Sequence, residues 1–274
     1  MVEAMRHALV GWSEVVCARC GVEFRTKDVE RGMCPPCEEA EKAATRLERE
    51  ARQVLETCES WVPAWCLHAG MAPREATAEW EKVPASVRRA MTRAEGIDAM
   101  LRGERPRGGF GLVGATGTGK TFALAALLKR HAVARWKMRA PVMGLACKKQ
   151  FARWVRWPEV AAEFRFMATR EKGHDAVGGM VDEWSGIDML VLDDIGAERV
   201  RGDYASDWTT SLLDVVVDRR YNLMQPTWWT TNLSPEEFVG RYGSRLWSRL
   251  TGSNPAVLVA NGPDLRVQSE GSRG

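Results

Sequence analysis

The chain has 274 residues, 45% of them hydrophobic and 27% charged, with a formal net charge of +3. That length builds one sizeable α/β domain plus a small appendage, and a charge so close to neutral is no argument for nucleic acid by itself. No apolar run approaches the roughly 18–20 residues of a membrane helix and no signal-peptide pattern opens the chain. Seven cysteines without a secretion signal then read as a cytoplasmic, reducing context rather than a disulfide framework.

Residues 1–40 are punctuated by Cys17-Ala-Arg-Cys20 and Cys34-Pro-Pro-Cys37, two C-x-x-C pairs with thirteen residues between them. Four thiolates so spaced suit a tetrahedral Zn²⁺, with Gly21 tightening the first turn. A module this small buries little apolar surface, so the metal replaces a core, and four cysteines leave no open position for a substrate. Unpaired, reduced thiols or a redox C-x-x-C are the alternatives. Two matched pairs argue against both. Cys58, Cys66 and His68 have poorer spacing and read as packing residues.

Residues 41–83 read as a helical linker. Ala40, Ala44, Leu47, Ala51 and Val54 draw a narrow apolar stripe on a charged helix over 38–57, either docked on its own protein or offered to a partner. Residues 58–83, with Pro63, Gly70 and Pro73, read as linker with short helical pieces. From about Pro84 apolar runs alternate with helical patterns. Residues 84–274 are therefore expected to form a parallel sheet covered by helices.

Residues 110–113 read as a strand, and Gly114-Ala115-Thr116-Gly117-Thr118-Gly119-Lys120-Thr121 follows it as G-x-x-x-x-G-K-T before a helix opening at Phe122. Such a loop turns backbone N–H groups and a helix N-terminus toward phosphate oxygens. Lys120 is placed to reach the β- and γ-phosphates and Thr121 to bind Mg²⁺. The strand 189–192 then delivers Asp193, to hold Mg²⁺ through water, and Asp194, to orient the attacking water. The strand carrying the loop is expected beside the one ending at Asp193.

The strand 227–231 ends at Asn232, placed to touch the γ-phosphate or the water. Ser234 and Pro235 read as the N-cap and first position of a helix. Arg245 and Arg249, four apart, share a helix face with no acid close in sequence. They read either as surface arginines or as groups reaching a neighbour's nucleotide.

"GATGTGKT", "LVLDDIGAE", "LLDVVVDRRYNLMQPTWWTTNLSPEEF" and "YGSRLWSRL" occur in this order. Together they resemble the AAA+ ATPases of the bacterial helicase-loader group (DnaC/DnaI-like), which is close to the IstB-like transposition helpers. The resemblance covers roughly residues 84–266. It implies an AAA+ P-loop core with a parallel five-stranded sheet between helices, using ATP and Mg²⁺, behind the small zinc-binding module. By position it makes residues 114–121 and Phe122 the nucleotide loop, Asp193 and Asp194 the acidic pair, Asn232 the sensor and Arg249 the arginine finger acting in trans, with Arg245 the first arginine of that segment. A homo-oligomer on ATP binding, a hexameric replicative helicase gripped through the N-terminal region, and single-stranded DNA are the partners it implies. Asp194 stands where many AAA+ proteins have Glu, which points to slow or partner-stimulated hydrolysis; Glu198 is the next acid that could orient water.

From Lys129 to Lys172 twelve Lys/Arg face three Asp/Glu, interleaved with Trp136, Phe151, Trp154, Trp157, Phe164 and Phe166. Phosphate-neutralising cations alternating with rings suit single strands; one basic helix face over core aromatics is the alternative. Three functions follow: a helicase loader, a transposition helper on duplex DNA, and a nucleotide-gated adaptor with little turnover. The zinc module favours the first.

Overall fold

A computed structural model describes residues 12–28, 30–93, 96–106, 108–167, 173–198, 203–252 and 256–260. Strands β1 (Ser13–Val16) and β2 (Glu23–Thr26) form an antiparallel hairpin. Helix α1 (Pro35–Ala69) follows with two prolines in its first turn, where a missing N–H costs nothing. Its first half is exposed and charged. Its second half buries Val54, Cys58, Val62, Trp65, Cys66 and Ala69 at spacings of three and four. The helix thus runs on past Thr57 to Gly70, whose left-handed backbone returns its N–H to Cys66 and Leu67 and ends it. Cys58 and Cys66 are buried packing residues, as expected, whereas His68 is exposed rather than packed.

Short helices α2 (Pro73–Ala76), α3 (Ala85–Arg93) and α4 (Ile97–Leu101) lead to the sheet. Its strands are β3 (Phe110–Val113), β4 (Ala152–Arg156), β5 (Met189–Ile195), β6 (Thr227–Thr231) and β7 (Ala256–Val259). All pairings are parallel, in the order β4-β5-β6-β3-β7. The five-stranded parallel sheet is as expected, but β6 lies between β3 and β5, which are not direct neighbours.

Both faces of the sheet are covered, so most of its strand residues are apolar; the polar ones gather at the ends of β5 and β6 and on the edge strand β4. Phe110, Leu112, Trp154, Met189, Val191 and Trp228 point to one layer, built from α1 and from α5 (Lys120–Met143). Val113, Val155, Leu190, Leu192 and Trp229 point to the other. That second layer holds α6 (Trp157–Met167), α7 (Gly173–Gly186), α8 (Asp203–Asn222), α9 (Pro235–Tyr242) and α10 (Ser244–Thr251). Gly111 is needed there: a Cβ on it would sit 2.2 Å from the Trp229 ring. Helices α1 and α5 run antiparallel, tied by Lys137 to Glu59 and, in the 3-10 turn Gly144–Lys148 just past the end of α5, by the Leu145 N–H to Glu50. The segment read as linker is therefore part of the core layer, because its tryptophans and cysteines bury against α5.

Arg220, fully buried on α8, donates to the backbone oxygens of Trp184, Ile187 and Pro226 and to the Thr227 hydroxyl. It joins the end of α7 to the start of β6 by filling carbonyls that burial would leave unpaired. Burial pulls its pKa down to about 9. Helix α9 opens with the expected cap: Ser234 accepts from the Glu237 N–H and Glu237 accepts from the Ser234 N–H.

Candidate functional site

The loop after β3 turns on Gly117 (φ 82°) and Gly119 (φ 89°), a backbone region closed to most side chains. Thr118 Oγ1 donates to the Ala115 carbonyl at 2.9 Å and closes the turn. Helix α5 starts at Lys120, so its positive end faces the loop. Lys120 is buried, and its Nζ donates to the carbonyls of Gly114 (2.7 Å) and Ala115 (2.8 Å) and to Asn232 Oδ1 (2.7 Å). Ala115 and Thr116 are exposed at the loop's tip, whereas Phe122 packs inward against the α1–α5 layer.

The acidic pair sits on a bulge. Leu192 pairs with Trp229 and Ile195 with Thr231, so Asp193 and Asp194 together face Thr230. Asp194 takes a left-handed backbone (φ 62°), which Asp tolerates better than most residues. Both carboxylates therefore reach the same end of the sheet, although neighbours in a regular strand point to opposite faces. Asp193 Oδ1 accepts from Thr121 Oγ1 (2.9 Å) and Thr230 Oγ1 (2.7 Å). Burial pushes its pKa up to about 6, against the pull of those hydroxyls. Asp194 Oδ1 accepts from Asn232 Nδ2 at 3.0 Å. A continuous chain Lys120–Asn232–Asp194 thus runs from the loop to the second acid. A neutral hydroxyl and a carboxylate side by side, Thr121 and Asp193, make the hard oxygen set that Mg²⁺ prefers, and its charge would hold Asp193 ionised. Thr230 was not singled out by sequence; a threonine at the end of a fully buried strand was the available sign, since its hydroxyl must find a partner.

Glu198 is not a reserve acid. It accepts from the Gly196 N–H, the Arg241 guanidinium and the Tyr242 hydroxyl, and is buried among them. Arg245 and Arg249 on α10 do have acidic partners, supplied across the helix interface by α8: Arg249 Nη2 lies 2.6 Å from Asp218 Oδ1, and Arg245 Nη2 3.4 Å from it.

At the other end of the chain, the Sγ atoms of Cys17, Cys20, Cys34 and Cys37 all lie within 4.8 Å of one another. The first pair sits on a knuckle after β1, where the Cys17 carbonyl accepts from the Gly21 N–H and Gly21 has φ 72°. The second pair brackets the start of α1. Cys20 and Cys34 Sγ are 3.7 Å apart, close to the edge of roughly 3.8 Å that four Zn–S bonds of about 2.3 Å give a tetrahedron. Backbone N–H groups of Cys34 and Cys20 draw the Cys17 thiol down to about 6, while hydrogen bonds with the Cys34 and Cys20 thiols push Cys37 up to about 12, so without a metal the four thiols share their protons unevenly. The donor set fits Zn²⁺.

The basic stretch 129–172 is corrected by its rings. Trp136, Phe151, Trp154, Trp157 and Phe164 are buried in the two core layers and offer no face to a base; the Phe166 side chain lies outside the described residues. Several of the cations are engaged as well: Lys129 with the carbonyls of Ala76 and Ala78, Arg135 with Asp188, Lys137 with Glu59 and Arg156 with Glu159. Among the described residues no helix is long and apolar enough to cross a membrane.

No family model matches the chain. A 92-residue segment is 27% identical to the replicative helicase loader DnaC of Escherichia coli K12 and to that of Shigella flexneri, covering 34% of this chain and 36% of each. The chain so spans about a third of the length of the curated relatives it matches. Among solved structures, a crystal structure of DnaI aligns with a TM-score of 0.51 at 19% identity, over 71% of this chain and 93% of its own. A crystal structure of the DnaC helicase loader aligns with 0.50 at 23%, over 69% and 99%. Over that segment the sequence is similar to DnaC, and the α/β fold around the phosphate loop is similar to the folds of the DnaI and DnaC structures.

Proposed function

We propose that the chain is an ATP-dependent helicase loader that binds a hexameric replicative helicase through its N-terminal region and delivers it to single-stranded DNA. The Lys120–Asn232–Asp194 chain carries the ATPase part of this reading, because it joins phosphate binding, sensor and water-orienting acid in one network. Lys120 neutralises the β/γ oxygens, residues 114–119 supply N–H donors, and Thr121 with Asp193 would hold Mg²⁺, which would supply positive charge beside the phosphate oxygens. Asp194 orients the attacking water, Asn232 relays its position to Lys120, and Arg249 of a neighbouring copy completes the site. Zinc on Cys17, Cys20, Cys34 and Cys37 fixes the hairpin to the exposed start of α1, which presents this end to the partner. Contact with a single strand rests on phosphate charge, since the aromatics are buried.

A second reading, an adaptor gated by nucleotide with little turnover, is favoured by the short Asp194 side chain already engaged by Asn232. One experiment separates the two. The full chain is mixed with its host's replicative helicase, with and without ATP, and followed by native mass spectrometry and phosphate release. A loader forms a complex with the hexamer and turns ATP over when single-stranded DNA is added; Lys120→Ala forms the complex without turnover. Complex without turnover in the unaltered chain supports the adaptor, and no complex at all removes the loader.

A further inference from the structure

Arg249 is held on its own subunit. Asp214 and Asp218 are four residues apart on α8, Arg245 and Arg249 four apart on α10, so each pair shares a helix face and the two faces meet. Arg249 Nη2 is 2.6 Å from Asp218 Oδ1 and its Nη1 is 3.9 Å from Asp214 Oδ1; Arg245 reaches Asp218 at 3.4 Å. The Arg249 and Asp218 side chains are only 21% and 28% exposed, so water screens their attraction less than at an open surface. Arg249 Nη1 is buried with no hydrogen-bond partner among the described residues, which leaves the guanidinium with donor capacity in hand. Tyr221, also on α8, lies 6.0 Å from it.

A finger works by bringing positive charge beside phosphate oxygens. Against Asp218 that charge is already neutralised. To serve a neighbour's nucleotide, Arg249 has to exchange a carboxylate for a phosphate. We propose that Asp218, assisted by Asp214, is a positioning residue that parks Arg249 on its own subunit and releases it only to a neighbouring copy that presents a nucleotide-filled loop. The inference rests on the reading of Arg249 as a trans finger. A phosphate group with two or more charges outcompetes a single carboxylate, whereas water does not, so an unassembled subunit keeps its finger folded back.

Asp218→Asn keeps shape and a hydrogen-bond acceptor but removes the charge. Asp182→Asn, which breaks an exposed pair with Arg219, is the control. Assembly of the full chain with a non-hydrolysable ATP analogue is measured by sedimentation against protein concentration, and ATP turnover over the same range. Asp218→Asn should assemble at a concentration about two- to fivefold lower, the range of an ion pair this exposed. Asp214→Asn should shift it less in the same direction and keeps the test open if Asp218→Asn folds poorly. Arg249→Ala should abolish concentration-dependent stimulation, and the Asp218→Asn/Arg249→Ala pair should behave as Arg249→Ala alone. Asp218→Asn and Asp214→Asn that assemble like the control, or worse, overturn the parking role while leaving the finger intact. Stimulation that survives Arg249→Ala removes the trans-finger reading itself, and the parking role with it.

Discussion

Thr230 Oγ1 donates to Asp193 Oδ1 at 2.7 Å and accepts from the Asp194 N–H at 2.8 Å, so one hydroxyl serves both acids of the bulge. Thr230→Val keeps the shape and removes that oxygen. It leaves the Asp194 N–H unpaired and deprives a buried carboxylate of a donor. Stability in urea should fall by about 1–3 kcal/mol, and the Mg²⁺ concentration for half-maximal nucleotide binding should rise. A valine variant with unchanged urea midpoint and Mg²⁺ dependence would show that the hydroxyl does not hold the bulge.

His131 is fully buried on α5, with Nδ1 2.9 Å from the Met100 carbonyl. Burial, aided by Arg135 and Arg139, brings its pKa down to about 4 from 6.5, against the pull of the Met100 carbonyl. The unfolded chain therefore binds a proton that the folded chain refuses between those values. Stability from this residue is full above pH 6.5 and is lost as pH falls toward 4, by up to about 3 kcal/mol. His131→Asn keeps a donor near the carbonyl and cannot titrate. Its urea midpoint should decline less steeply between pH 6.5 and 4 than that of the unaltered chain; parallel curves would mean that other groups set the acid sensitivity.

The site was legible where local covalent constraint decides it. The glycines, lysine and threonine of 114–121 have to lie together because the loop itself does, and two C-x-x-C pairs have to converge to bind one ion. Strand order was not legible: β6 comes between β3 and β5 because of how the crossover helices pack, which no local window contains. The bulge at Asp193–Asp194 was hidden for the same reason, since two residues opposing one is a property of the pairing with Thr230. The basic–aromatic stretch misled because β4, though at the sheet's edge, is covered on both faces. Phe151 and Trp154 turn to one layer and Val155 and Trp157 to the other, while Arg153 and Arg156 are only partly exposed and pair with Glu183 and Glu159. Helix partners such as Asp218 for Arg249 lie beyond any i,i+4 search.

Zinc should be found at one atom per chain by elemental analysis. Its removal with a chelator should unfold the hairpin, which has only two strands and no apolar core of its own. The main thermal transition should barely move, because the two core clusters begin at Ala51 and draw nothing from the cysteine module. Cys20→Ser, at the exposed ligand, should lower metal content without lowering that transition. A core that melts with the metal would mean that the module and the sheet fold as one unit.

On the proposed reading, Asp194 sets how fast the site can turn over. Its carboxylate is short, set by a left-handed backbone, and bound by Asn232 Nδ2 at 3.0 Å. Asp194→Asn removes the charge that would draw a proton from water. It should leave nucleotide affinity within a few-fold and cut turnover by about 10²-fold or more, the usual scale for losing a positioned base. Asp194→Glu sends the carboxylate one methylene further along the same path. The strained backbone resists this by about 1 kcal/mol, because a longer side chain tolerates the left-handed region less well. If Asn232 now restrains the acid short of the water, the longer side chain should raise turnover above that of the unaltered chain while lowering its melting temperature slightly. Nucleotide binding by fluorescence and single-turnover phosphate release separate the two effects. A glutamate variant slower than the unaltered chain, with binding intact, would mean that the aspartate already stands at the right distance from the water and that its length does not limit turnover.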